Sequence, residues 1–175
     1  MPNRDHLKGR RGVYLVLHEL LKRKIDGIPT PLFWPFDIFT SHGIIIEVKL
    51  SNIGKSKGGT GSVFERFTCL ISPIERSIMD FLVFVLNTKK GYFFYVIPEK
   101  AITCNTIAFN PFSQQESQYE KYLNRWDLIQ DLHNLRLQRE KFKEYSEKLR
   151  QKHSYFTRLN KIKGQNNLDK KSVNK

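Results

Sequence analysis

The run Ile44-Ile45-Ile46-Glu47-Val48-Lys49-Leu50 is apolar and β-branched enough to form a strand, and a strand's side chains alternate between two faces. Ile44, Ile46 and Val48 therefore share one face, while Ile45, Glu47 and Lys49 share the other. Core packing accounts for the first face but not for an acid and a base side by side on the second. Upstream, residues 33–40 (Phe-Trp-Pro-Phe-Asp-Ile-Phe-Thr) read as the partner strand, with Ser41-His42-Gly43 as the turn. If the loop has three residues and Gly43 takes the left-handed conformation, Asp37 falls directly across from Glu47. The sequence thus predicts a hairpin that carries an Asp–Glu–Lys cluster on one patch of sheet.

Two hard carboxylates converging on one point suit Mg²⁺, or Mn²⁺ in its place. Both ions prefer oxygen ligands and keep waters and substrate phosphates in their remaining positions. A neighbouring ammonium suits the attacking water, or the charge that builds on a phosphate. The combination is apt for metal-assisted phosphodiester hydrolysis. An exposed Glu-x-Lys pair is by itself common on sheets, and it is the opposed Asp37 that gives this one its meaning.

Asp37, Glu47 and Lys49 fit the string D-x(9)-E-x-K, which resembles the catalytic motif of the PD-(D/E)XK nuclease superfamily. The order of elements over residues 6–130 is similar too: an amphipathic helix, the Asp strand, the Glu-x-Lys strand, then Asp80–Leu86 and Tyr92–Pro98. That resemblance implies a restriction-endonuclease-like αβββαβ core, an α/β (α+β) fold with a mixed central sheet flanked by helices. It implies Asp37, Glu47 and the Val48 backbone carbonyl as Mg²⁺ ligands, and Lys49 as the base or water-orienting group. The sequence departs from the pattern at two points. Phe36 separates Pro35 from Asp37, and the position of the usual first-helix acid is held by Gly12 or Val13. Glu19 is the accessory acid that could stand in for it.

With 175 residues the chain has room for one domain, or one domain plus an appendage. An apolar fraction of 39% with 13% aromatics suffices for a core. The 30 Lys and Arg against 17 Asp and Glu give a net charge of +13, which points to a polyanionic partner without separating DNA from RNA. Cys69 and Cys104 do not make a disulfide framework, and five scattered His lack zinc-ligand spacing. With no apolar signal region and no membrane-length run, a cytoplasmic address is expected.

Residues 7–25 read as a helix that Gly27 and Pro29 terminate. Lys8, Arg10 and Arg11 crowd its start, where cations oppose the helix dipole, so they are candidate phosphate contacts. Gly54 to Gly61 reads as a flexible basic loop beside the cluster, with Lys55 and Lys57 as further candidates. It is no P-loop, because the required upstream glycine position holds Lys49. Ser72-Pro73-Ile74-Glu75 is a capping box opening a helix over 73–79, and residues 80–86 and 92–97 read as scaffold strands.

Ser113-Gln-Gln-Glu116 is a second capping box, opening a C-terminal helical region. There Tyr119, Tyr122, Leu123, Trp126 and Ile129 form a docking face, and Leu128, Leu135, Phe142, Leu149 and Phe156 recur every seven residues. The expected organisation is a nuclease core over 1–112, helices over 113–163, and a disordered basic tail over 164–175. The expected activity is Mg²⁺-dependent, site-specific cleavage of DNA, of homing or restriction type, by a homodimer or larger homo-oligomer. A junction resolvase or repair nuclease of the same fold, and a non-catalytic basic nucleic-acid-binding module, are the alternatives.

Overall fold

The computed structural model describes residues 4–31, 33–57, 63–110 and 117–172. Helix α1 (Arg4–Lys22) buries Val13, Val16 and Leu20, which fall at helical spacing. It stops before the expected residue 25, in a Schellman-type turn. The Ile25 N–H donates to the Leu20 carbonyl (3.1 Å) and the Lys24 N–H to that of Leu21 (2.9 Å), with Lys24 at φ 60°. The turn seats Ile25 in the core beside Leu20.

Five strands form the central sheet: β1 (Gly27–Pro29), β2 (Ile38–Thr40), β3 (Ile45–Asn52), β6 (Phe81–Thr88) and β7 (Gly91–Pro98), adjacent in that order. β3 and β6 run parallel and the other neighbours antiparallel. The crossover between the parallel pair holds β4 (Gly54–Lys57), β5 (Val63–Leu70) and the short helix α2 (Pro73–Ile78). β4, β5 and β8 (Thr106–Phe109) make a second, smaller sheet. The class is the expected one, a mixed α+β fold with a mixed sheet, flanking helices and a long C-terminal helix, α3 (Asp127–Ser172).

β6 lies between the two halves of the core, as its unbroken apolar run requires. Phe81, Val83 and Val85 pack with α1 and with Ile44, Ile46 and Val48. Leu82, Phe84 and Leu86 pack on the opposite face with Phe67 and Cys69 of β5. Asp80 fastens this strand to β3. Its carboxylate accepts from the Ile45 N–H (2.8 Å), and its own N–H donates to the Ile45 carbonyl (2.8 Å).

Several elements differ from the sequence expectation. The partner strand over 33–40 shrinks to Ile38–Thr40, because Pro35 has no N–H to give a ladder and the Trp34 N–H closes a turn onto the Pro31 carbonyl (3.0 Å). Strand β1 forms where Gly27 and Pro29 read only as helix breakers; at a sheet edge a proline is tolerated. Gly54–Lys57 is a strand rather than part of a loop, paired with Val63–Arg66, while residues 58–62 lie outside the described residues. The second capping box, Ser113–Glu116, also lies outside them.

The Ser72 capping box is present, with both reciprocal hydrogen bonds. Tyr119, Trp126 and Ile129 are buried as expected, whereas Leu123 is exposed. The chain divides into two compact units, Met1–His133 and Asn134–Lys175, so the first turns of α3 belong with the sheet. Helical backbone continues to Ser172, into the stretch expected to be disordered. Among the described residues no helix is long and apolar enough to cross a membrane.

Candidate active site

The β2–β3 hairpin builds the site. Ile38 pairs with Ile46 and Phe39 with Ile45. Thr40 and Ile44 close a three-residue loop through the Thr40 N–H to the Ile44 carbonyl (3.0 Å), with Gly43 at φ 76°. The same register sets Asp37 opposite Glu47. Asp37 is fixed from both sides: its N–H donates to the Ile46 carbonyl (3.2 Å) and its carbonyl accepts from the Thr30 N–H (2.9 Å). The Thr30 hydroxyl donates to the Phe36 carbonyl, and the buried Phe36 ring packs edge-on against Trp34. The prolines that truncate the strand thus leave a pinned turn that delivers Asp37.

Strand alternation supplies the rest. Ile44, Ile46 and Val48 face α1, and Glu47 and Lys49 project from the opposite face, toward β5 and α2. The Asp37 carboxylate accepts from the Val48 N–H (2.9 Å) and is hydrogen-bonded to Glu47. In an extended strand the N–H and C=O of one residue lie on the same side, so the Val48 carbonyl points to the edge that Asp37 occupies. Lys49 Nζ lies 2.7 Å from Glu47 and 2.8 Å from Glu75. Asp37, Glu47 and Lys49 converge, and they bring a fourth member with them.

That member is Glu75, in the first turn of α2. One carboxylate oxygen accepts from the Ser72 N–H (2.6 Å) and completes the capping box; the other accepts from Lys49. The sequence shows the first role plainly. The second arises from a contact between residues 26 positions apart, which no local pattern encodes.

The electrostatics follow from burial. Glu47 is only 4% exposed. Removal from water, and then the nearby charge of Asp37, push its carboxyl up to about 8. Burial also raises Asp37, against the opposing pull of the Val48 N–H and Lys49. For Lys49, burial works against the charge, but Glu47 and Glu75 outweigh it and hold the ammonium above its ordinary range. Glu75 is held below the usual carboxylate range, its burial outweighed by hydrogen bonds from Lys49 and Ser72.

A buried carboxylate and a half-buried one held against each other, both with raised pKa, are a poor arrangement in isolation and a good one around a divalent cation. Among the described residues no three His, Cys, Asp or Glu side chains form a ready metal cage. What the cluster could offer a cation is two carboxylates, Asp37 and Glu47, and the Val48 backbone carbonyl. Such a set fits Mg²⁺, which retains waters and takes few protein ligands.

The remaining candidates lie elsewhere. Glu19 pairs with Lys22 (2.7 Å) and Arg23 (2.8 Å) near the end of α1, and the structure does not bring it to the cluster. A Cβ at Gly12 would meet Leu50 Cβ at 3.0 Å, so this close helix–strand contact would have to give by a few tenths of an ångström to take any side chain there. Lys8, Arg10 and Arg11 sit on α1, across the sheet from Glu47 and Lys49. Arg11 stacks over the Tyr92 ring at 5.4 Å. Lys55 is exposed on β4; the Lys57 side chain lies outside the described residues.

No protein-family model matches this chain, and no curated protein matches it. Among solved structures it is similar to a bacterial homing endonuclease, I-Ssp6803I, at 21% identity and a TM-score of 0.57. The match covers 76% of this chain and 97% of that one. The chain therefore has a homing-endonuclease-like fold.

Proposed function

We propose that this chain is a Mg²⁺-dependent DNA endonuclease of the PD-(D/E)XK type, cutting at specific sites as homing or restriction enzymes do. The observation that carries the reading is the convergence of Asp37, Glu47 and Lys49 at the open end of the β2–β3 pair. A fold shared with a homing endonuclease supports it. Asp37, Glu47 and the Val48 carbonyl are the residues that would hold the ion. Bound there, Mg²⁺ would offset the carboxylates' charge and draw electron density from the scissile phosphate.

The chain's own part is positioning and charge. Lys49, kept as an ammonium by two carboxylates, is placed to donate hydrogen bonds to the attacking water and to the oxygens on which negative charge accumulates. Its raised pKa favours that role over one as general base. Glu75 fixes the direction of the ammonium, so that Lys49 does not collapse wholly onto Glu47. Cleavage of both strands of a duplex calls for two such sites related by a two-fold axis, hence a homodimer or larger assembly.

The test is nicking and linearisation of supercoiled plasmid with Mg²⁺, with EDTA, and with Lys49→Ala. Cutting that needs the ion and disappears in the variant, while DNA binding persists, is the expected result. Equal cutting by the variant would remove Lys49 from the reaction. A folded wild-type chain that binds DNA but never cuts, on plasmid libraries of varied sequence, would leave a binding module instead.

A further inference from the structure

The charge of this chain is unevenly placed. Residues 134–175 hold 13 Lys and Arg against four Asp and Glu, a net +9 of the chain's +13. Those residues are also the second compact unit. Most of the excess charge thus sits on the C-terminal unit rather than on the unit that holds the sheet.

The extension is patterned. Spacings of three, four and seven set Arg136, Arg139, Lys143 and Arg150 on one face of α3. Arg139, Lys143 and Arg150 are exposed. A second stripe, Leu135, Phe142 and Leu149, is exposed too and recurs every seven residues. With that stripe as a seam, the flanking positions hold Arg139, Lys141 and Lys148. No acid stands among those flanking positions, so a second copy would add positive charge along the seam with nothing to offset it. Charge therefore favours a polyanion over a second copy of the chain as the helix's partner.

We infer that residues 134–175 form a basic arm that binds the phosphate backbone of duplex DNA through Arg139, Lys143 and Arg150. The arm supplies sequence-independent affinity and leaves the choice of cutting site to the first unit. The choice of DNA as the polyanion rests on the endonuclease reading; the arm itself does not.

The experiment is fluorescence anisotropy of a labelled 30-base-pair duplex with the full-length chain in EDTA, over a range of salt. Each phosphate contact adds about 0.9 to the slope of log K against log salt. Replacing Arg139, Lys143 and Arg150 together by Gln is expected to lower that slope by about 2 to 3, and the charge-preserving set Arg139→Lys, Lys143→Arg, Arg150→Lys to retain it. Circular dichroism of both variants confirms that the helix persists. An unchanged slope in the Gln variant overturns the proposal. So does wild-type binding with no salt dependence, or loss of binding only when Phe142→Ser and Leu149→Ser dissociate an oligomer by light scattering. None of these outcomes depends on cutting, so failure of the endonuclease reading shows separately, in the plasmid assay.

Discussion

Glu47 concentrates the physics of the site, because it is buried, opposed by Asp37 and bonded to Lys49. Its folded pKa of about 8 stands above the ordinary 4.5, so the folded state holds a proton that the unfolded chain has lost. Stability from this group is present in full below about pH 4.5 and is lost as pH rises through 8. Metal-free protein is therefore expected to melt at progressively lower temperature from pH 5 to pH 9, by an amount of order a few kcal/mol. Glu47→Gln, neutral throughout, should flatten that profile; parallel curves for the two proteins would show that Glu47 is not the group responsible. Glu75 permits a separate test. Glu75→Gln keeps an oxygen for the Ser72 cap but removes the charge that aims Lys49. It is expected to slow plasmid nicking about tenfold, roughly 1.4 kcal/mol in the barrier, with DNA affinity unchanged and a modest loss of melting temperature at neutral pH, because the lowered pKa of Glu75 marks a charge that stabilises the folded state. Nicking at the wild-type rate would make Glu75 a cap and nothing more.

Among the elements, the hairpin was legible because its signals are local. Alternation placed Glu47 and Lys49 on one face, Gly43 supplied the positive φ its loop demands, and those two facts fixed Asp37 across from Glu47. What could not be read locally was set by tertiary contact. β1 exists because β2 offers it an edge, β4 because β5 folds back on it, and Glu75 reaches Lys49 because α2 caps the crossover between two parallel strands. Glu19 lies apart from the cluster for a related reason: it pairs with Lys22 and Arg23 on a helix packed against the other face of the sheet. The end of α1 shows a local rule broken and offset. Helices commonly stop on a left-handed glycine, and here Lys24 takes that place at φ 60°, at a cost of about 1 kcal/mol. Lys24→Gly is accordingly expected to stabilise the protein by about 0.5 kcal/mol, the relief of strain being partly cancelled by a freer unfolded chain. Urea denaturation measures this directly; a loss of stability would mean that the Lys24 side chain makes a contact worth more than its strain.

For the whole molecule, the core is arranged so that its least favourable part is its open edge. Two apolar layers, one under α1 and one under β5, meet at β6, and beside the second layer lie two opposed carboxylates, Asp37 and Glu47, whose pKa values burial raises. A fold does not gain stability from that arrangement, so it should gain from whatever cation completes it. Any ligand bound only by the folded state stabilises it by RT ln(1 + [L]/Kd), about 2.7 kcal/mol at a hundredfold excess over Kd. Mg²⁺ at saturating concentration is thus expected to raise the melting temperature by several degrees at pH 8. The rise should shrink toward pH 6, where the ion must displace a proton from the Asp37–Glu47 pair. Asp37→Ala removes one of the two carboxylates and should abolish the Mg²⁺ response, while itself melting above the metal-free wild type at pH 8 because the repulsion on Glu47 is gone. The two shifts have opposite signs in one pair of melting curves, with and without the ion. An Asp37→Ala protein that Mg²⁺ still stabilises as much as wild type would place the ion elsewhere and leave the acid pair without the role its geometry suggests.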